Sequence, residues 1–213
     1  MKRFIIATLV LFYMFAVKGQ GIYDTSMMQK YVKAYGQMTQ RAIEIMHAVQ
    51  PYREKQYELY RNGRYQDVID ICLDVRKNYT YYAFDDKAIS DMECLAGDAA
   101  IKLRQYEMAL SLYQIAVSAE DSNANRKMFG LFNTLVNEAA ENAKANNYYN
   151  MWQVLALASR TGYENGKYFY YLGEYYEHTS DISSAKKYYK KAKKKDFPLA
   201  DSALRRLKSK KKY

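Results

Sequence analysis

Leu95-Ala96-Gly97-Asp98-Ala99-Ala100-Ile101-Lys102-Leu103-Arg104-Gln105-Tyr106-Glu107-Met108-Ala109-Leu110-Ser111-Leu112-Tyr113-Gln114-Ile115-Ala116 is the stretch that decides how this chain folds. Gly97 precedes Ala109 by twelve residues, and Tyr113 and Ala116 follow Ala109 by four and seven. Steps of four and seven place residues on one helix face. The small side chains of Gly97, Ala109 and Ala116 let two antiparallel helices approach closely, while Tyr113 fills the gap between neighbouring pairs.

The same spacing recurs on both sides. Toward the C-terminus it reads Leu172-Gly173, Tyr176, Ala185, Tyr189 and Ala192, again with twelve residues from Gly to Ala and aromatic and Ala at plus four and plus seven. Toward the N-terminus, Asn62-Gly63-Arg64-Tyr65 leads into Val68, Ile69, Cys72 and Val75. There Gly63 supplies the positive-φ residue that closes one helix before the next begins. A weaker copy is Asn147-Tyr148-Tyr149 followed by Met151, Leu155 and Ala158. The anchors Val68, Ala109, Met151 and Ala185 lie 41, 42 and 34 residues apart.

On these residues the chain resembles a tetratricopeptide repeat (TPR) protein, over roughly residues 49–200. The second and fourth units match best, and Gly162–Leu207 also resembles the SEL-type variant through its Leu-Gly, Tyr-Tyr and Ala-Lys-Lys-Tyr-Tyr order. The first unit departs with Lys55-Gln56 where the family favours Leu-Gly, and the third lacks the small pair. The resemblance implies an all-α, right-handed superhelix of about four stacked antiparallel helix pairs with capping helices at both ends. A plain helical bundle is the alternative. In the family, first-helix residues beside the packing positions line a concave groove that takes peptide or protein partners. Carried over, those positions are Arg53, Tyr57, Tyr60, Asp98, Lys102, Ala140, Tyr170 and Glu174. The Lys/Asn set with which some members clamp a C-terminal carboxylate is not reproduced.

Composition agrees with helices. The 213 residues include 9 Gly and 2 Pro, too few to punctuate the many turns of an all-β fold. A capping helix is expected from about Thr25 to Ala48, ended by Gln50-Pro51, within an N-terminal segment 20–48. Paired helices are expected near 51–62 and 65–78, 86–103 and 105–119, 126–145 and 147–160, and 165–178 and 181–195, filling a repeat domain over 49–198. Asp181 is a candidate N-cap, and residues 199–213 supply a closing helix and basic tail.

Residues 1–19 read as a secretory signal: basic Met1-Lys2-Arg3, an uncharged run from Phe4 to Val17, then small Gly19. A retained anchor is the alternative, although the run is shorter than the roughly 20 residues a spanning helix needs. Removing Lys2, Arg3 and Lys18 would lower the net charge from +10 to +7. The charge is uneven. Residues 186–213 hold thirteen Lys or Arg against Asp196 and Asp201, whereas residues 20–185 hold 17 basic and 21 acidic side chains.

Catalytic signatures are lacking. His47 and His178 are far apart, and the sequence has no metal-ligand cluster, Gly-rich phosphate loop or nucleophile elbow. Asp85-Asp86 reads as a helix start, and Glu44, Glu58, Glu138 and Glu174 fall on different helices. No metal or cofactor is expected, and an enzyme is a distant third reading. Cys72 and Cys94 fall on helices that should pack together, so a disulfide and two buried thiols are both compatible with export. The 24 tyrosines serve as core filler or as groove contacts. The expected function is an exported scaffold binding a peptide or protein in a bacterial envelope assembly, periplasmic or extracellular. The competing reading is an anionic-surface binder using Lys190, Lys191, Lys194, Arg205, Arg206 and Lys208, with lipid headgroups or polysaccharide ahead of nucleic acid.

Overall fold

A computed structural model describes residues 25–82 and 85–210; the expected signal segment and residues 211–213 of the tail lie outside them. The chain divides into two units, residues 1–41 and 42–213. Within the first, residues 29–40 are all exposed. The second contains the core.

The described residues form nine α-helices: α1 (Thr25–Arg61), α2 (Tyr65–Tyr79), α3 (Ser90–Lys102), α4 (Tyr106–Ser118), α5 (Ala124–Lys144), α6 (Tyr148–Ser159), α7 (Gly166–His178), α8 (Ile182–Lys194) and α9 (Ala200–Lys210). No strand occurs among them. The pairs α3–α4, α5–α6 and α7–α8 pack tightly, as do α2–α3, α4–α5, α6–α7 and α8–α9. Among first helices, α3 touches α5 and α5 touches α7. One hydrophobic cluster runs through the layers from Ile45 to Leu207.

The recurring spacing has a direct structural counterpart. An ideal Cβ on Gly97 would stand 2.4 Å from the Tyr113 ring, and one on Gly173 would stand 2.5 Å from the Tyr189 ring. Both tyrosines are fully buried. Their hydroxyls donate to carboxylates, Tyr113 to Asp98 at 2.7 Å and Tyr189 to Glu177 at 2.8 Å. The turns recur as well. Gly63 has φ +70°, and Arg104, Asn146 and Ser180 hold the equivalent place at +59°, +57° and +64°. Each lies five residues before its anchor. The next residue's N–H reaches back across three of these turns: Arg64 to the Leu59 carbonyl at 3.0 Å, Gln105 to Ala100 at 2.8 Å, and Asn147 to Asn142 at 2.8 Å. Such bonds satisfy carbonyls that a helix end leaves open.

Capping fixes several helix starts. Asp181 accepts the Ser184 N–H at 3.0 Å, as its position suggested. Asn165 does the same for Tyr168 at 2.8 Å, and Asn147 for Asn150 at 3.2 Å.

Two expected boundaries are corrected. Pro51 does not end a capping helix: α1 continues through it to Arg61. Pro51 has no N–H to offer the His47 carbonyl one turn back, yet His47 and Pro51 are both exposed to water. Ile45, Val49 and Leu59 are buried on either side, so packing of both halves outweighs the break. Asp85 and Asp86 open a 3₁₀ turn (Asp85–Ala88) rather than α3 itself. Buried Asp85 accepts the N–H groups of Tyr81 and Tyr82 at 2.9 and 3.0 Å, which holds this turn against the core.

Candidate functional site

The carried-over groove positions do not form one open surface. Tyr57 and Lys102 are exposed. Arg53 is tied up: its Nε donates to Asp91 Oδ2 at 2.6 Å, and its Nη2 donates to Asp91 Oδ1 at 3.1 Å and to the Ala88 carbonyl at 2.9 Å. That fork clamps α1 to the start of α3. Tyr60 is half-buried and edge-on to Tyr65 at 5.4 Å. Burial, then the Asp98 charge, raises its phenol above the ordinary value. Asp98 accepts from Tyr113 and pairs with Lys127 of α5. Ala140 is buried.

Tyr170 is a correction to the expected groove. It is buried, with ring centroids of Phe197, Tyr171 and Tyr189 at 5.0, 5.3 and 5.5 Å. Its hydroxyl donates to Glu174 at 2.9 Å. Desolvation pushes the Glu174 carboxyl upward against the pull of that bond and of Arg206. The cause is local crowding: α7 packs against α5, α6 and α8, leaving little free face.

The two cysteines are likewise free, buried thiols, so no bridge joins them. Cys72 belongs to the main core, whereas Cys94 lies in a small cluster with Ala116 and Ala124. Burial raises both thiol pKa values, that of Cys94 to about 12, with the Asp121 charge adding to it.

Beside Cys72 is a polar cluster that sequence reasoning did not find. Glu93 is wholly buried and pairs with Arg76, which also reaches Asp86 at 3.2 Å. Burial outweighs that guanidinium and lifts the Glu93 carboxyl to about 8. Gln56 donates to the carbonyls of Val68 and Met92 at 3.0 and 3.1 Å. It stitches α1, α2 and α3 together with hydrogen bonds instead of close backbone approach.

An open concavity lies elsewhere. A recess of about 490 Å³ opens between α4 and α6, the second helices of successive pairs. Its lining includes Tyr106, Trp152, Val154 and Leu157, with Arg104, Glu107 and Arg160 among its charged groups. Trp152 is 36% exposed and stacks on Tyr175 at 4.7 Å, so its ring is both presented and held. Arg104 pairs with Glu138, and Arg160 approaches Glu107 at 3.6 Å. No known family profile matches the chain, and neither does any curated protein or solved structure. The site therefore rests on its own geometry. The signal that could have found it is the chain's single tryptophan, placed in the repeat unit that lacks the small pair.

The basic end also sorts itself. Arg206 is committed to structure, donating to Glu177 at 3.0 and 2.6 Å and to the Tyr189 hydroxyl at 3.2 Å. Lys191 is half-buried, its Nζ 4.7 Å from the Phe169 ring centroid. Lys190, Lys194, Arg205 and Lys208 are exposed. His178 stacks on Tyr148 at 3.7 Å, and His47 is exposed on α1. Among the described residues no cluster of three or more His, Cys, Asp or Glu is placed to hold a metal ion, and no helix is long and apolar enough to cross a membrane.

Proposed function

We propose that this chain is an exported TPR-type scaffold, its pairs stacked as a right-handed superhelix, that binds a peptide or protein segment in a bacterial envelope assembly. The observation that carries the reading is Trp152, held by Tyr175 and exposed in the recess between α4 and α6. Trp, Tyr and Arg dominate the energetics of protein interfaces because they offer large, stiff contact surfaces. Three such residue types meet there, over an apolar floor of Val154 and Leu157. Tyr57 and Lys102, still exposed on first helices, are secondary contacts. No catalytic role is assigned to any residue.

The test is selection of peptides from a random display library on the immobilised protein, followed by affinity measurement on Trp152→Ala. A hot spot of about 1–3 kcal/mol corresponds to a loss of roughly five- to 150-fold. Selected peptides that bind Trp152→Ala and the parent equally would remove the recess from consideration. Export is tested separately by N-terminal sequencing of protein recovered outside the cytoplasm, where cleavage close to Gln20 is expected and a retained Met1 would place the chain in the anchored class.

A further inference from the structure

The α8–α9 end carries a second surface, independent of the recess around Trp152. Helix α8 buries Ala185, Tyr189 and Ala192, which leaves Lys186, Lys187, Lys190, Lys193 and Lys194 exposed. Two hollows flank the row of Lys186 and Lys190. One, of about 410 Å³, is lined by Ser183, Lys186, Lys187, Lys190, Lys191 and Lys194, all from α8. The other, of about 200 Å³, is lined by Lys186, Lys190 and Lys193 of α8 and by Asp201, Arg205 and Lys208 of α9, above Ile182, Leu204 and Leu207. Together the two linings hold eight cationic side chains and one carboxylate, Asp201. That carboxylate is already engaged by Lys193 at 2.6 Å.

From this arrangement we propose that the α8–α9 face docks on an anionic lipid bilayer. The cations lie in adjoining rows across two helices, so they form a broad patch and not a walled channel. The larger hollow has lining from one helix only, leaving no opposite wall to grip a polymer strand. Seven of the eight cations are lysines, compact hydrated charges that suit a diffuse headgroup field better than the forked, bidentate recognition for which arginine is adapted. The lysine stems supply apolar cover at the contact while their ammonium groups reach outward. With Lys186 and Lys194 eight residues apart, the α8 row spans about 12 Å of helix. Attraction of this kind decays within a Debye length, about 10 Å at 0.1 M salt and 3 Å at 1 M.

The experiment is co-sedimentation of the full chain with vesicles of phosphatidylcholine alone and with about one third phosphatidylglycerol. The neutral vesicles measure whatever the apolar run Phe4–Val17 contributes, and the difference isolates the anionic term. Each basic residue near such a surface changes partitioning by about five-fold, so Lys186→Gln/Lys190→Gln/Lys194→Gln should lose roughly 100-fold. The same triple change to Arg should retain binding, and 1 M salt should abolish the anionic increment. A control, Lys30→Gln/Lys33→Gln/Lys77→Gln, removes the same net charge from exposed positions elsewhere and should leave partitioning nearly unchanged. Equal loss in both triple variants would overturn the proposal in favour of unspecific net charge. Equal binding to neutral and anionic vesicles would overturn it outright, and stronger competition by duplex DNA or polyphosphate at matched phosphate would assign the face to a polymer. Peptide binding at Trp152 should survive the Lys→Gln triple variant, so failure of one reading leaves the other standing.

Discussion

Replacing Gly97 with Ala should destabilise the protein, although alanine is the better helix former. The added methyl carbon would stand 2.4, 2.8 and 2.9 Å from three atoms of the Tyr113 ring, where ordinary contact begins near 3.4 Å. The ring would have to retreat by about 1 Å, and it is fully buried with its hydroxyl fixed to Asp98 at 2.7 Å. Overpacking costs about 1–3 kcal/mol. Straining a hydrogen bond to a charged group costs up to about 1.5–3 kcal/mol more. Helix propensity returns about 1 kcal/mol, leaving a net loss of about 2–4 kcal/mol. For a chain of this length, that corresponds to a fall in Tm of roughly 5–15 °C. The control is Gly130→Ala on α5, where a Cβ meets nothing within 4 Å and propensity alone acts, so a small gain is expected. Urea and thermal unfolding of both variants decide the matter. Equal stabilisation by the two substitutions would refute the close-approach reading of the Gly97–Ala109–Tyr113 spacing, and with it the equivalence of the second and fourth units.

Other outcomes follow from particular contacts. Tyr170→Ala should lower stability by about 3–5 kcal/mol as a core truncation, whereas exposed Tyr57→Ala should leave the urea midpoint nearly unchanged. Because burial raises the Glu93 carboxyl from its usual 4.5 to about 8, the folded state holds that proton more tightly than the unfolded chain. Its contribution is complete below about pH 4.5 and is lost as pH rises through 8, with a slope of at most about 1.4 kcal/mol per pH unit. Unfolding free energies at several pH values should show that slope in the parent and not in Glu93→Gln. Cys72 and Cys94 should react with a thiol reagent only after denaturation, two equivalents then appearing without reductant; fewer would indicate a bridge. Asp181→Ala should cost about 1 kcal/mol in the same unfolding assay by freeing the Ser184 N–H, and no measurable change would remove Asp181 as a cap.

Much of the helical layout was readable because small-residue and aromatic spacings report which helix faces meet. The steps from Gly97 to Tyr113 and from Gly173 to Tyr189 led directly to the observed contacts. Features governed by several elements at once were not readable. Pro51 obeys a local rule against helix continuation, but burial of Ile45, Val49 and Leu59 on both sides overrides it. Tyr170 and Arg53 occupy groove-type positions, yet α8 covers the first and Asp91 captures the second. Glu93 sits on a helix like many other acids in the chain, and only the closure of α2 over α3 makes it buried. The recess at Trp152 depends on the space between α4 and α6, which no single-helix pattern encodes.

The left-handed residues at the hairpin turns have an implication for how the molecule's length is set. Gly63, Arg104, Asn146 and Ser180 leave the chain in nearly the same backbone state at the same offset from each anchor. Two such points should then serve as interchangeable splice sites. Excising residues 105–146 would join Arg104 directly to Asn147, preserving a left-handed turn followed by an anchor five residues on. Such a shortened chain should still unfold cooperatively by circular dichroism, with one layer fewer, and a loss of cooperative unfolding would show that its layers cannot be exchanged. The number of layers then becomes a quantity that duplication and deletion can adjust without inventing a new turn.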